Sequence, residues 1–198
     1  MGPISPISPI EHVPEDYFHP LDLARLFPAP APLEVDLGCG EGAFLIAMAK
    51  AHPGRNYIGA ERLIGRIRNT SRKVERAALT NVRLLRIESA YFITHLLPPS
   101  SASRIYILFP DPWPKRRHWP RRLIQPRFLD AAALALKPDG ALWIKTDEAN
   151  YFAHIRKVAA ECACLAPGPW QGETPLTDFE RLYVAQGRPI YSICLNRR

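Results

Sequence analysis

No stretch of this 198-residue chain approaches the roughly 20 consecutive apolar residues that a membrane span needs, although 47% of its residues are hydrophobic. The N-terminus, MGPISPISPIEHVPEDYF, has neither the charged nor the apolar region of a secretory signal, and Pro6 stands where a myristoylation motif requires Ser or Thr. We therefore expect a cytoplasmic protein with no membrane partner. Cysteine is sparse, and its spacing fits no zinc or redox motif: Cys39 lies between glycines, Cys162 and Cys164 are one residue apart, and Cys194 is far downstream. Reduced, packed thiols and no metal are expected. The length suits one core that buries about 70% of the unfolded surface.

Acid is missing where base is densest. Across 112–129 there is no Asp or Glu, while Lys115, Arg116, Arg117, Arg121, Arg122 and Arg127 supply positive charge. The net charge of +7 says only that polyanions are attracted; the clustering says where. A second basic group, Arg62, Arg66, Arg68, Arg72, Lys73 and Arg76, falls on an expected helix, either as a solvated face or as an RNA-facing one.

The first 30 residues are proline-dense and repeat Pro-Ile-Ser, so they are expected to be extended or poorly ordered rather than part of a sheet. From Leu33 onward, apolar runs alternate with helical patterns: LEVDL then AFLIAMAKA, NYIGAE then IGRIRNTSRKVERAAL, VRLLRI then AYFITHL. RIYILF, the basic loop, RFLDAAALALK, ALWIKT and EANYFAHIRKVAAEC follow. That order predicts an α/β fold, a mostly parallel sheet with helices on both faces. The last stretch, with PIYSICLN near its end, predicts an antiparallel hairpin at a sheet edge.

EVDLGCGEGAF places Gly38, Gly40 and Gly42 between a strand and a helix, where glycine permits a tight turn and close approach of a ligand to the backbone. Glu61, about 20 residues on and at the end of the next strand, can accept both hydroxyls of a ribose. The spacing G-x-G-x-G departs from the G-x-G-x-x-G of dinucleotide sites, and Asp36 and Glu41 would repel a diphosphate. A ligand with a cationic amino-acid end, S-adenosylmethionine, suits these acids better than a nicotinamide dinucleotide does. Glu88, ending the third strand, is placed either to accept from an adenine amine or to sit as a solvated turn acid.

In ILFPDPWPKRRHWPRR a strand runs into a turn with one acid, Asp111, between Pro110 and Pro112. Prolines on both sides stiffen that turn. Asp111 should therefore stand still near the reactive end of the cofactor, with Trp113 free to stack on a base and the following cations holding phosphates.

The run FPDPWPKRRHWPRRL, with LGCGEG, GAE, KTD and TDFE, resembles the bacterial tRNA (guanine-N7)-methyltransferases in order and spacing over about 33–193. The resemblance implies a Rossmann-like class I methyltransferase fold with a seven-stranded sheet, one domain over 31–198 behind a proline-rich extension over 1–30. It implies methyl transfer from S-adenosylmethionine to N7 of the guanosine at tRNA position 46, with tRNA as partner and either a monomer or a homodimer. Carried over, the cofactor contacts fall on Asp36, Gly38, Gly40, Glu61, Glu88 and Asp111, and Asp111 is also the catalytic residue. Substrate contacts fall on Lys115, Asp147, Thr177, Asp178, Phe179 and Glu180, and RNA contacts on Arg117, His118, Trp119, Pro120, Arg121 and Arg122. Asp36 stands where the family usually has glutamate, and Glu88 where it has aspartate. Thr177 and Glu180 also spell a capping box, T-x-x-E, so a helix start is the competing role there. The rivals are an exocyclic-amine methyltransferase, which normally has two consecutive prolines after its acid, a nicotinamide-dependent oxidoreductase, and an RNA-binding protein without catalysis.

Overall fold

Strand β1 (Leu33–Leu37) is buried along its whole length, as a strand covered by helices on both faces must be. Around it a computed structural model, describing residues 9–172 and 174–198, places seven strands in one sheet of order β3-β2-β1-β4-β5-β7-β6. These are β2 (Asn56–Glu61), β3 (Val82–Arg86), β4 (Ala102–Leu108), β5 (Leu136–Thr146), β6 (Leu165–Pro167) and β7 (Tyr191–Arg197). The first five pair in parallel, and β7 runs antiparallel between β5 and β6. The mostly parallel sheet expected from the alternating apolar runs is present.

Side chains of successive strand residues point to opposite faces, and the two faces build separate cores. Tyr106, Trp143 and Cys194 pack with Phe44, Leu45 and Met48 of α1 (Ala43–Ala51) and with Ile67 and Val74 of α2 (Ile64–Arg76). Ile105, Ile107, Leu142 and Ile144 pack on the other face with Phe128 and Leu129 of α4 (Pro126–Ala135) and Ile155 and Val158 of α5 (Ala149–Glu161). The expected helix after β3 shortens to α3 (Ser89–Tyr91), continued by a π-turn at Phe92–Leu96.

One expectation needs correction. The N-terminal segment does join the sheet: His12 N–H donates to Leu84 O and Leu84 N–H to Ile10 O, both at 2.8 Å, beside the β3 edge. Ile10, Leu21 and Leu26 are buried, so apolar residues between the prolines fasten this strap onto the core. The repeat within residues 1–8 lies outside the described residues. The antiparallel pair expected at the sheet edge is present as β6 against β7, although its two strands are not joined directly. A loop and α6 (Asp178–Ala185) separate β6 from β7, and β7 is inserted beside β5, leaving β6 at the edge.

The strand order reverses direction at β1, with β2 on one side and β4 on the other. In open α/β sheets this switch point opens a crevice at the carboxyl ends of the strands. The glycine turn follows β1 and the Pro-Asp-Pro turn follows β4, so the topology brings both motifs to that one crevice.

Candidate functional site

The glycine turn is shaped by its residues' backbone. Gly38, Gly40 and Gly42 all have left-handed φ, at 79°, 55° and 74°. Around Gly38 the space is open: a Cβ there would meet nothing within 4 Å. Gly42 is different, since a Cβ would lie 2.2 Å from Thr70 Cγ2. It lets α1 approach α2, the packing role that the third glycine serves in wider-spaced turns. Gly38 N–H and Cys39 N–H both donate to Ala60 O, at 2.8 and 3.1 Å, which ties the turn to β2.

Two acids flank the turn. Asp36 is almost fully buried, and burial, followed by the neighbouring charge of Glu61, pushes its carboxyl up to about 7. Glu61 accepts Leu63 N–H at 2.8 Å and faces Arg66 at 3.5 Å. A carboxylate has about four acceptor sites, so capacity remains for ribose hydroxyls. The same burial, with the charges of Asp36 and Glu61, raises the Cys39 thiol well above its ordinary value, leaving it unreactive. Glu41 is exposed and held by Lys73, whose ammonium donates to Glu41 O at 2.8 Å and lies 3.4 Å from Oε2. Its repulsion of a diphosphate is thus partly offset by a residue of the basic helix. Glu88 caps α3, with its two oxygens accepting Ala90 N–H at 3.0 Å and Tyr91 N–H at 2.7 Å, while the residue stays exposed.

Across the crevice, Asp111 is exposed at the rim just beyond β4. The turn carrying it is bracketed by Phe109 at φ 55° and Trp113 at φ 44°, each immediately before a proline. Left-handed backbone is costly for bulky residues, and a following proline disfavours α-type conformations as well. Phe109 N–H is anchored to Lys145 O at 2.9 Å. Its ring packs with Phe179 at 6.0 Å and Tyr183 at 5.6 Å, so α6 leans on the turn.

The basic run folds into a 3-10 helix at Arg116–Arg121. Lys115, Arg117, Pro120 and Arg121 are exposed, with His118 and Trp119 half-buried. Arg117 Nε donates to His118 Nε2 at 3.2 Å, His118 stands edge-on to Trp113, and Arg121 lies 5.1 Å over the Trp113 ring. Trp113 is therefore half-buried under the run's own side chains. Arg122 requires a correction. Expected at the RNA surface, it is 2% exposed, with its guanidinium between the rings of Trp119 and Tyr151.

The remaining substrate candidates are engaged within the protein. Thr177 Oγ accepts Glu180 N–H at 3.0 Å and Glu180 Oε2 accepts Thr177 N–H at 2.8 Å, so the capping box is realised. Glu180 is buried, and its other oxygen pairs with the ammonium of Lys145, which stands 3.9 Å over the Trp143 ring. Asp147 accepts Arg188 Nη2 at 2.5 Å, and Arg188 lies 4.1 Å over Tyr183. Phe179 is exposed beside Phe109; the side chain of Asp178 lies outside the described ones. Lys145 and Arg188 were missed from the sequence. The signal for Lys145 was available: a lysine near the end of a run as apolar as ALWIKT has to find a buried counter-charge.

A seven-stranded sheet with this order, a glycine turn after β1 and acids ending β1 and β2 define a class I methyltransferase. A family model described as "putative methyltransferase" matches residues 30–193. The sequence is 37% identical to a tRNA (guanine-N(7)-)-methyltransferase of Alkalilimnicola ehrlichii over 90% of this chain and 78% of that protein. The chain belongs to the tRNA (guanine-N7-)-methyltransferase family. In fold it is similar to the 16S rRNA methyltransferase KamB, with TM-score 0.65 and 14% identity over 89% of this chain and 92% of that one. It is similar also to a SAM-dependent methyltransferase from Aquifex aeolicus, with TM-score 0.56 and 15% identity over 84% and 81% of the two chains.

The residues fit the cofactor expected from the sequence. The open side of Gly38 gives a ligand room to approach the backbone, and the buried acids Asp36 and Glu61, with Arg66 as counter-charge 3.5 Å from Glu61, favour a cationic amino-acid end over a diphosphate. Among the described residues no cluster of three or more His, Cys, Asp or Glu could hold a metal ion. No helix among them is long and apolar enough to cross a membrane.

Proposed function

We propose that this chain transfers a methyl group from S-adenosylmethionine to N7 of the guanosine at position 46, in the variable loop of tRNA. The family match supports this reading, together with Asp111 on a turn that is bracketed by two left-handed residues and follows β4, the strand beside β1 and its glycine turn. Asp36, Gly38, Gly40 and Glu61 hold the cofactor, and Glu88 borders its adenine end. S-adenosylmethionine, when bound, supplies an electrophilic methyl on a sulfonium and leaves as a neutral thioether.

Purine N7 has an in-plane lone pair and no proton, so the residues here need supply no general base; they must align the base and stabilise charge. Methylation leaves a positive charge on the purine. Asp111, a fixed carboxylate at the rim, meets that charge as it develops. Asp147 and Glu180 are acceptors suited to the N1 and N2 protons of guanine, and each must exchange part of its present pairing, with Arg188 and Lys145, to reach them. Lys115, Arg117 and Arg121 hold phosphates, with His118, Trp119 and Pro120 completing the RNA-facing surface.

The test is incubation of the protein with labelled S-adenosylmethionine and bulk tRNA. The expected product is 7-methylguanosine in the variable loop. Methyl label on an exocyclic amine, or tRNA binding without label transfer, would replace this proposal with one of the rivals.

A further inference from the structure

We propose that Arg122 is a positioning residue that holds the Asp111 turn in shape from beneath, rather than an RNA contact. Its Nε donates to Pro112 O at 2.9 Å, and Pro112 directly follows Asp111. The guanidinium is 4.6 Å from the Trp119 ring and 4.8 Å from the Tyr151 ring, at the start of α5. Its own backbone is fixed as well: Arg122 N–H donates to Trp119 O at 3.0 Å, and Gln125 Nε2 donates to Trp119 O and Arg122 O at 3.1 and 3.3 Å. Tyr151 Oη, in turn, accepts Ile124 N–H at 3.2 Å.

This is a costly way to fill a core position. Both Nη atoms are buried and make no hydrogen bond to any described residue. The two aromatic faces offset part of the cost of burying the charge. An apolar side chain of similar volume would pack without that cost. What such a side chain cannot do is donate to the Pro112 carbonyl, which lies between the two left-handed residues Phe109 and Trp113. Strained backbone of this kind persists only where its surroundings over-determine it. The acid-free run 112–129 thus divides into an exposed part, available to phosphate, and one buried cation serving the carboxylate.

The inference rests on the role given to Asp111 above, and the experiment separates the two. Wild type, Arg122→Lys and Arg121→Ala are compared in kcat on tRNA, cofactor Kd, tRNA affinity across a salt series, and Tm. Lysine keeps the charge and loses the planar fork that stacks and donates along Nε. Arg122→Lys is expected to lower kcat by about 10- to 100-fold, the scale of a small misplacement of a reacting group, with cofactor Kd, tRNA affinity and its salt slope unchanged. Arg121→Ala is expected to reduce the slope by about 1. Normal kcat in Arg122→Lys, or a loss of slope like that of Arg121→Ala, overturns the inference. If Arg122→Lys does not fold at the assay temperature, Trp119→Leu removes one stacking face and leaves the donor. At saturating tRNA, where a lost RNA contact would show in KM alone, it should lower kcat with cofactor Kd unchanged, and normal kcat there overturns the inference too. Absence of 7-methylguanosine from the wild type itself would count against the proposed function, not against the clamp.

Discussion

The two sides of the crevice are built by different means. Beside β1 and β2 the recognition surface is mostly backbone: three left-handed glycines and two acids held at strand ends, with open space above Gly38. Beside β4 and β5 it is made of side chains, and most of them are engaged with one another: Glu180 with Lys145, Asp147 with Arg188, Arg121 with Trp113. The first side is ready for a small ligand before any RNA arrives. The second must exchange internal contacts for those of the incoming nucleotide, so cofactor should bind in the absence of tRNA, while affinity for free guanosine should be weak.

Breaking the β5–α6 tie gives the largest effect on stability. Glu180→Leu leaves the Lys145 ammonium buried without its carboxylate, at a cost of about 3–5 kcal/mol, read from the denaturant midpoint. The double substitution Lys145→Met with Glu180→Leu should recover much of that stability and still fail to methylate, since the acceptor proposed for the guanine edge is gone.

On the glycine side, Gly42→Ala and Gly38→Ala separate packing from ligand approach. Both carry left-handed strain of about 1–2 kcal/mol. Only Gly42→Ala adds a collision with Thr70, so it should lower Tm the more. Gly38→Ala should lower Tm only by the few degrees that this strain accounts for and lose cofactor affinity, measured by calorimetric titration.

Asp36 gives a pH signature confined to the glycine side. Its folded carboxyl lies near 7, above the unfolded value, so the acid destabilises the free protein increasingly as pH rises towards 7, and by a constant amount above it. A cationic ligand favours the ionised form. Cofactor affinity should therefore rise from pH 6 to pH 8, with a proton released on binding below the midpoint. Asp36→Asn should raise the Tm at pH 8, weaken cofactor binding, and flatten its pH dependence. An unchanged profile would remove Asp36 from the site.

The smallest effect is expected at Thr177→Ala, which removes a helix cap worth about 1 kcal/mol. A fall in kcat much larger than that loss can explain would give Thr177 a contact with substrate as well.

Legibility in the sequence follows the same division. Strands β1 to β5 and the glycine turn could be read because apolar runs, periodicity and glycine are local signals. The strap at Ile10, Leu21 and Leu26 was hidden by the prolines around it, since its burial depends on the distant β3 edge and the helical layer. Arg122 reads like its neighbours, and nothing in PRR announces which arginine turns inward; that is decided by Tyr151, from another helix. Thr177 and Glu180 carried two meanings at once, and the cap was the one local chemistry could fix. Lys145 could be read as a buried cation needing a partner, but its partner comes from α6, beyond the reach of spacing.

The most direct measurement is single-turnover methylation of tRNA by Asp111→Asn, paired with its cofactor Kd. A carboxylate that meets charge developing on the purine predicts a rate at least about a hundredfold below wild type, with cofactor affinity within a few-fold. A near-normal rate, or a rate loss matched by an equal loss of cofactor affinity, would contradict the role given to that turn.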